Sequence, residues 1–290
     1  MQYEFDAIGT RWQIDLYSSL SSSKKKNLLN KIKDTIFEFD SVYSRFRQDS
    51  LITRMSRKTG IYNLPSHADF LFSLYERLYY LTDGAFTPLI GQILSDAGYD
   101  RNYSLISTRK LNHPPLWRDA MEYDALKLNL KKPALLDFGA AGKGYLVDIV
   151  GNLLHKEKIY SYCIDAGGDI LYKSKEYKPL RVGLENPNNL KQVIGVASIL
   201  NKSICASAGN RRKWGKFNHI IDPHTLSSPT NILATWAIAD IAVLADALST
   251  CLFFIQPEVL KKEYNFEYLM LNSDFSIEKS PNFSSEIFYK

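Results

Sequence analysis

Apolar residues recur along this chain in two periods, and the switches between them mark out its elements. Near the start, Ile14 and Leu16 alternate with polar neighbours, the two-residue period of a half-buried strand. After Ser21-Ser22-Ser23 the period changes. Leu28, Leu29, Ile32, Ile36, Phe39 and Tyr43 then share one face of a predicted helix. Pro65 followed by Ser66-x-x-Asp69 has the form of a capping box. It opens a second predicted helix through Leu71, Leu74, Leu78 and Leu81, which Gly84 stops. Residues 99–120 hold His113-Pro114-Pro115 and little periodicity, so a loop is expected there. Leu126, Leu128 and Leu130 alternate again, predicting a strand that turns at Lys131-Lys132-Pro133 into a second strand, Ala134 to Phe138.

A turn of small residues, Gly139 to Gly144, leads into a helix carrying Leu146, Ile149, Val150, Leu153 and Leu154. Tyr160 to Ile238 is strand-rich. Ile232 to Ile238 reads as a buried strand, followed by a buried helix from about Asp240, a short helix after Pro257 and a strand from Glu267 to Leu271. The run from Ile232 to Ile255 has the length of a bilayer span. Asp240 and Asp246 lie inside it, however, and a mid-membrane Asp costs about 2.5–3.5 kcal/mol, so no membrane span is expected. The mixed order of elements favours an α+β fold over a doubly wound sheet.

The 290 residues carry 36 Lys and Arg against 31 Asp and Glu, a net charge of only +5, with no basic arm beyond Lys24-Lys25-Lys26. No nucleic-acid partner is expected on that balance. Cys163, Cys205 and Cys251 each sit in an apolar stretch. An odd count without zinc spacing reads as buried free thiols in a reducing compartment. The opening MQYEFDAIGTRWQIDLY lacks a basic stretch followed by an apolar run, so no leader is read there and a cytoplasmic location is expected.

Several segments carry candidate chemistry, each with a plain structural alternative. Gly139-Ala140-Ala141-Gly142-Lys143-Gly144 lies between a predicted strand and a helix, where small residues admit a phosphate to the helix amides. A tight structural turn is the commoner use. Asp246 and Thr250 are four apart, hence on one helix face, and offer the hard oxygens that suit Mg²⁺. An Asp that caps or pairs within the core fits equally. His219-Ile220-Ile221-Asp222-Pro223 follows the basic stretch Arg211, Arg212, Lys213 and Lys216, a setting for a general base beside a diphosphate or for an ordinary hairpin. Asp165-Ala166-Gly167-Gly168-Asp169 suggests a tight bend. Tyr43-Ser44-Arg45-Phe46 suggests a surface for a flat heterocycle or a helix end.

Together these segments resemble the ApbE family, the FAD:protein FMN transferases. Ala7-Ile8-Gly9-Thr10 stands where that family has Met-Gly-Thr, and Tyr43-Ser44-x-Phe46-x-x-Asp49-Ser50 is similar to its Ser-x-Tyr-x-x-Asp-Ser. In family order follow Thr82-Asp83-Gly84-Ala85-Phe86, Asp137-Phe138-Gly139-Ala140-Ala141-Gly142-Lys143-Gly144, Ala166-Gly167-Gly168-Asp169, His219-Ile220-Ile221-Asp222-Pro223 and Ala245-Asp246-Ala247-Leu248-Ser249-Thr250. Thr87 replaces the usual Asp, and the stretches Ser207 to Arg211 and Asp222 to Pro229 depart from the pattern.

The resemblance implies mixed α/β layers with a largely antiparallel sheet and a ligand cleft, in a single domain over residues 1–290 or one of two intertwined lobes. It implies Mg²⁺ held by Asp246, Thr250 and a main-chain carbonyl of the Ala140–Gly142 turn, with His219 and Asp222 as catalytic residues. FAD contacts are implied at Thr10, Tyr43, Ser44, Phe46, Gly84, Ala85, Phe86, Lys143, Gly167, Gly168, Ser207 and Arg211. The implied reaction moves FMN from FAD onto a Thr hydroxyl of an acceptor protein and releases AMP. Hydrolysis of FAD to FMN and AMP, or FAD binding without catalysis, are the alternatives.

Overall fold

The computed structural model describes residues 1–107 and 110–288; Thr108 and Arg109, within the loop expected over 99–120, lie outside the described residues. The chain opens with a hairpin rather than the single expected strand: β1 (Gln2–Ala7) and β2 (Thr10–Leu16). Ala7 pairs with Thr10 across Ile8 and Gly9, both at positive φ, the two-residue hairpin geometry. No residue of β1 is buried, so its apolar alternation is faint in the sequence. Then come α1 (Ser22–Tyr43), α2 (Leu51–Met55), β3 (Gly60–Asn63) and α3 (Ala68–Leu81).

The face predicted for α1 is the buried one: Leu28, Ile32, Ile36, Phe39 and Tyr43 are all enclosed. The expected capping box before α3 does not form. His67 is the N-cap, its side chain making no capping bond to the helix amides, and Asp69 instead accepts a hydrogen bond from the Tyr123 hydroxyl at 3.0 Å. Beyond a short 3₁₀ turn at Pro88–Ile90 lie α4 (Gly91–Ala97), α5 (Trp117–Ala120), β4 (Met121–Asp124) and β5 (Lys127–Leu130). The one-turn α5 interrupts the expected loop.

The strand expected over Ala134 to Phe138 is a second correction. The segment joins no ladder, and its Asp137 amide bonds the Pro88 carbonyl at 2.8 Å. Leu136 and Phe138 are buried, which gave the alternation without the pairing. The chain continues through α6 (Gly142–Lys156), β6 (Tyr162–Ala166), β7 (Asp169–Lys173), β8 (Leu180–Asn186), β9 (Asn189–Ile199), β10 (Ser203–Ala208), β11 (Lys213–Trp214), β12 (Phe217–Asn218) and β13 (Ile232–Ala239). It ends with α7 (Ala242–Cys251), α8 (Pro257–Lys261), β14 (Glu267–Asn272), β15 (Ile277–Lys279) and β16 (Ser285–Ile287).

These elements form two compact units. The first comprises Met1–Glu38, Ala141–Asn210 and the chain from Thr230 onward; the second comprises Phe39–Ala140 and Arg211–Pro229. The first holds an eight-stranded sheet in the order β1-β2-β6-β7-β10-β13-β14-β15, antiparallel at every pairing, and a three-stranded sheet β16-β9-β8. The fold is therefore α+β with a largely antiparallel sheet, as expected. Helix α7 packs on β10 and β13, and β13 is buried along nearly its whole length. A strand covered on both faces needs apolar residues on both, which accounts for the long apolar run. Among the described residues no helix is long and apolar enough to cross a membrane. The three cysteines are free and buried.

The second unit has the sheet β3-β5-β4 and the ribbon β11-β12. Phe72 of α3 stacks on Tyr123 of β4 with ring centroids 4.9 Å apart. Ile93, Leu94, Trp214, Phe217 and Ile221 form a second core, and the Trp214 indole donates to the Ala97 carbonyl at 2.7 Å.

In the first unit α6 and α7 fasten each other's N-termini. The Asp148 carboxylate of α6 accepts hydrogen bonds from the amides of Ala242 and Val243, both at 2.8 Å. It supplies the cap that α7 lacks, since its own N-cap is Ile241. In return Asp246 of α7 accepts from the Gly144 amide at 2.9 Å. Glycine is required at 144 because a Cβ there would lie 2.4 Å from the Ala242 carbonyl oxygen.

Replacing Asp148 by Ala should destabilise the fold by about 1–2 kcal/mol, the usual scale for a lost cap. Burial pushes the Asp148 carboxyl up from 3.8 to about 6, although the two amides pull it down. The folded state then binds the extra proton, so this group's contribution is full below the unfolded value and fades as pH rises through the folded one. Urea unfolding of wild type and Asp148→Asn across that window checks the sign: the variant should lose this component of the slope.

Candidate functional site

The N-terminal turn of α6 delivers Lys143 into a buried acidic pair. Its ammonium bonds Asp169 at the start of β7 and lies 3.7 Å from Asp246 of α7. Asp169 and Asp246 are both nearly inaccessible. Burial works against the charge on Lys143, but the two carboxylates outweigh it and raise the lysine's pKa. Burial first, then Asp169, pushes the Asp246 carboxyl up to about 7, against the pull of Lys143 and the Gly144 amide. Two carboxylates facing one cation leave an excess of negative charge in a desolvated place.

Hydroxyls gather around the same helix. Ser207 of β10 lies 2.8 Å from the Ser249 hydroxyl and 3.1 Å from that of Thr250. Ser249 donates to the Asp246 carbonyl at 2.9 Å, and Thr235 donates to the Ser249 carbonyl at 2.6 Å. Of the residues expected from sequence in this unit, Asp246, Lys143, Ser207 and Thr250 are thus tied into one network. Gly142 is buried two residues before the Gly144 amide. Thr10 meets Gly167 at the β6–β7 turn: a Cβ on Gly167 would fall 1.9 Å from the Thr10 hydroxyl, and Gly167 and Gly168 both have positive φ. Asp165 closes that turn by accepting the Gly168 amide at 2.8 Å.

An excess carboxylate beside hydroxyls is a donor set of hard oxygens, which fits a Mg²⁺ ion. Among the described residues no group of three or more His, Cys, Asp or Glu converges as a metal cage. An ion at Asp246 would therefore take its other ligands from hydroxyls, main-chain carbonyls, water and the substrate.

In the second unit the segment after α1 builds an aromatic nest. Phe46 stacks on Tyr103 at 5.1 Å and meets Tyr99 edge-on at 5.4 Å. The Arg45 guanidinium lies over both, 4.3 Å from the Phe46 ring and 4.8 Å from Tyr99. Arg212 approaches Tyr99 at 5.7 Å. Ser44, half-buried, ends α1, where its amide bonds the Asp40 carbonyl. Tyr43 is buried, with its hydroxyl 3.0 Å from the His67 Nδ1. Phe86 is buried against Tyr75, centroids 4.8 Å apart, so its ring serves packing. Ala85 precedes it, half-buried, and Gly84, at positive φ, borders a cavity of about 460 Å³ with Tyr79, His113, Trp117 and His224. Thr87, the departure from the family pattern, caps the 3₁₀ turn by accepting the Leu89 amide at 3.1 Å.

His219 lies just past β12, its amide on the Arg212 carbonyl at 3.1 Å. The Asp222 side chain accepts the His224 amide at 2.8 Å, and its backbone pairs with Ser227, so it shapes the turn 222–227. Arg211 is exposed, and Ala140 is half-buried in the turn before α6. Sequence reasoning missed Asp148, Asp169, Arg45 and Asp137 as site residues. Asp169, Asp137 and Arg45 sat inside quoted motifs, but the burial of Arg45 on Asp137 has no local signal; Asp148 carries a signal only once its partners are known.

The ApbE family model matches residues 8–269 of this chain. The FAD:protein FMN transferase of Escherichia coli K12 is 23% identical over 310 residues, covering 97% of this chain and 88% of that protein. The FAD:protein FMN transferase of Treponema pallidum is 24% identical, with 86% and 76% covered. Among solved structures, the ApbE protein of Thermotoga maritima superposes with a TM-score of 0.84 at 21% identity over 99% of each chain. The flavin transferase ApbE of Vibrio cholerae does so with 0.82 at 20% identity, over 98% of this chain and 97% of that one.

The charge balance of the first-unit cluster is testable through stability. Lys143→Met leaves two buried carboxylates facing each other and should destabilise by about 3 kcal/mol, the scale of a broken buried pair. Adding Asp246→Asn should return part of that loss. A double-mutant cycle by urea unfolding measures it; strict additivity would mean the pair is not coupled.

Proposed function

This chain belongs to the ApbE family, and from that premise we propose that it transfers FMN from FAD to a threonine hydroxyl of an acceptor protein, with Mg²⁺ as cofactor. The acceptor Oγ bonds to the phosphorus on the FMN side of the diphosphate. The bond from that phosphorus to the bridging oxygen breaks, and AMP leaves with that oxygen. The observation that carries the reading is the buried cluster of Asp246, Asp169 and Lys143 beside the Ser207 and Thr250 hydroxyls.

Asp246 and Thr250, with a carbonyl from Ala140 to Gly142, would hold the ion. The chemistry such an ion supplies is neutralisation of charge on the non-bridging diphosphate oxygens. Lys143 is kept protonated by its two carboxylates and adds a fixed positive charge to the same task. Thr10, Gly167, Gly168, Ser207 and Arg211 offer hydrogen bonds or close backbone approach to FAD. In the second unit Phe46 with Ser44, and the backbone at Gly84 and Ala85, are its contacts, while buried Tyr43 and Phe86 support them. His219 accepts the proton of the attacking hydroxyl, and Asp222 holds the turn that follows it.

Incubation with FAD, Mg²⁺ and an acceptor protein should yield flavinylated acceptor and AMP in equal amounts. AMP without acceptor would point to hydrolysis instead. Asp246→Ala should abolish transfer while circular dichroism stays native. His219→Ala should lower the rate by roughly 10²-fold or more with FAD affinity little changed; an unchanged rate removes His219 from the chemistry.

A further inference from the structure

Arg45 is an expensive residue for a protein core. Its side chain is 2% exposed, its Nε pairs with Asp137, and its Nη2 is buried with no hydrogen-bond partner among the described residues. A buried guanidinium with an orphan donor costs stability that an apolar side chain of the same shape would not. Two aromatic faces, Phe46 and Tyr99, offset part of that cost. The guanidinium is enclosed, so it acts through its neighbours, and of these Asp137 is the one joined to the turn before α6.

Asp137 carries that role onward. One carboxylate oxygen takes the Arg45 pair, and the other accepts the Gly139 amide at 2.7 Å. The Asp137 amide is itself fixed on the Pro88 carbonyl. Gly139 leaves no room for a side chain, since a Cβ there would stand 2.8 Å from the Asp137 oxygen. The turn pinned in this way, Gly139 and Ala140, runs by one further residue into the first turn of α6.

We infer that Arg45 is a positioning residue, which through Asp137 sets the Gly139–Ala140 turn and with it the path of the chain into Gly142, so that a carbonyl of the Ala140–Gly142 stretch is held ready for the metal. This rests on the proposed function, which places a metal contact on that stretch. A group behind a ligand typically changes metal affinity by about 10- to 100-fold when removed, without touching the substrate.

The test is a titration of FAD fluorescence with Mg²⁺, on wild type, Arg45→Met, Arg45→Lys and Gly139→Ala, alongside FAD titration in EDTA and thermal melts. Gly139→Ala presses a Cβ onto the Asp137 carboxylate from an exposed position while leaving the Arg45 side chain itself unchanged, so it answers the question even where Arg45→Met folds poorly. The expected result is a rise of about tenfold or more in half-saturating Mg²⁺ for Gly139→Ala and Arg45→Met. FAD affinity in EDTA should stay near wild type, and Arg45→Lys should recover most of the loss. Wild-type Mg²⁺ dependence in folded Gly139→Ala and Arg45→Met overturns the inference alone. A wild type whose FAD binding ignores Mg²⁺ and which transfers nothing overturns the proposed function and this inference with it.

Discussion

The first unit turns on a mutual anchorage of two helix ends. Each helix begins with amides that lack internal acceptors, and each borrows a carboxylate from the other: Asp148 serves α7, and Asp246 serves α6. The exchange needs a close approach, which Gly144 alone permits. Asp246 is therefore fixed in place by the same contact that brings the α6 terminus to it. Lys143 and Asp169 then follow as consequences, because a carboxylate drawn into that depth must find countercharge. Cluster and scaffold are one piece of packing, which explains why a polar site sits on a helix as apolar as α7.

What the sequence revealed divides along physical lines. Long periodic segments were legible: α1, α3, α6 and α7, the alternation of β5 and the run of β13 all reflect burial on one face or two. Where pattern and pairing part company, the reading went astray. Leu136 and Phe138 face a core from a segment with no ladder partner, and β1 sits in a ladder without a buried face. Ser66 and Asp69 have cap spacing, but Asp69 is claimed by Tyr123, a residue distant in sequence.

The site followed the same rule. Asp246 and Thr250 announced themselves as polar residues in an apolar helix, and Lys143 as a cation in a turn of small residues. Asp148 looked like an ordinary helix position, since its partners are amides about a hundred residues on. Arg45 looked like one member of an aromatic helix end, and nothing local shows that its charge is buried on Asp137. Signals carried by a residue's own neighbours were readable, whereas those carried by a distant partner were not.

The order of strands in the large sheet bears on how the chain reaches its fold. Strand β2 pairs with β6, so Leu16 lies beside Tyr162, and the second unit is spelled out almost entirely between those two partners. During synthesis the opening hairpin emerges long before its neighbour exists, and its inner edge has nothing to bond. The intervening unit has time to collapse locally first, apart from the segment Arg211–Pro229 that completes it. Closing the large sheet is then a late, long-range event of the slow kind. A ribosome stalled before β6 would hold a nascent hairpin with both edges open, a natural client for a chaperone that shields unpaired strands.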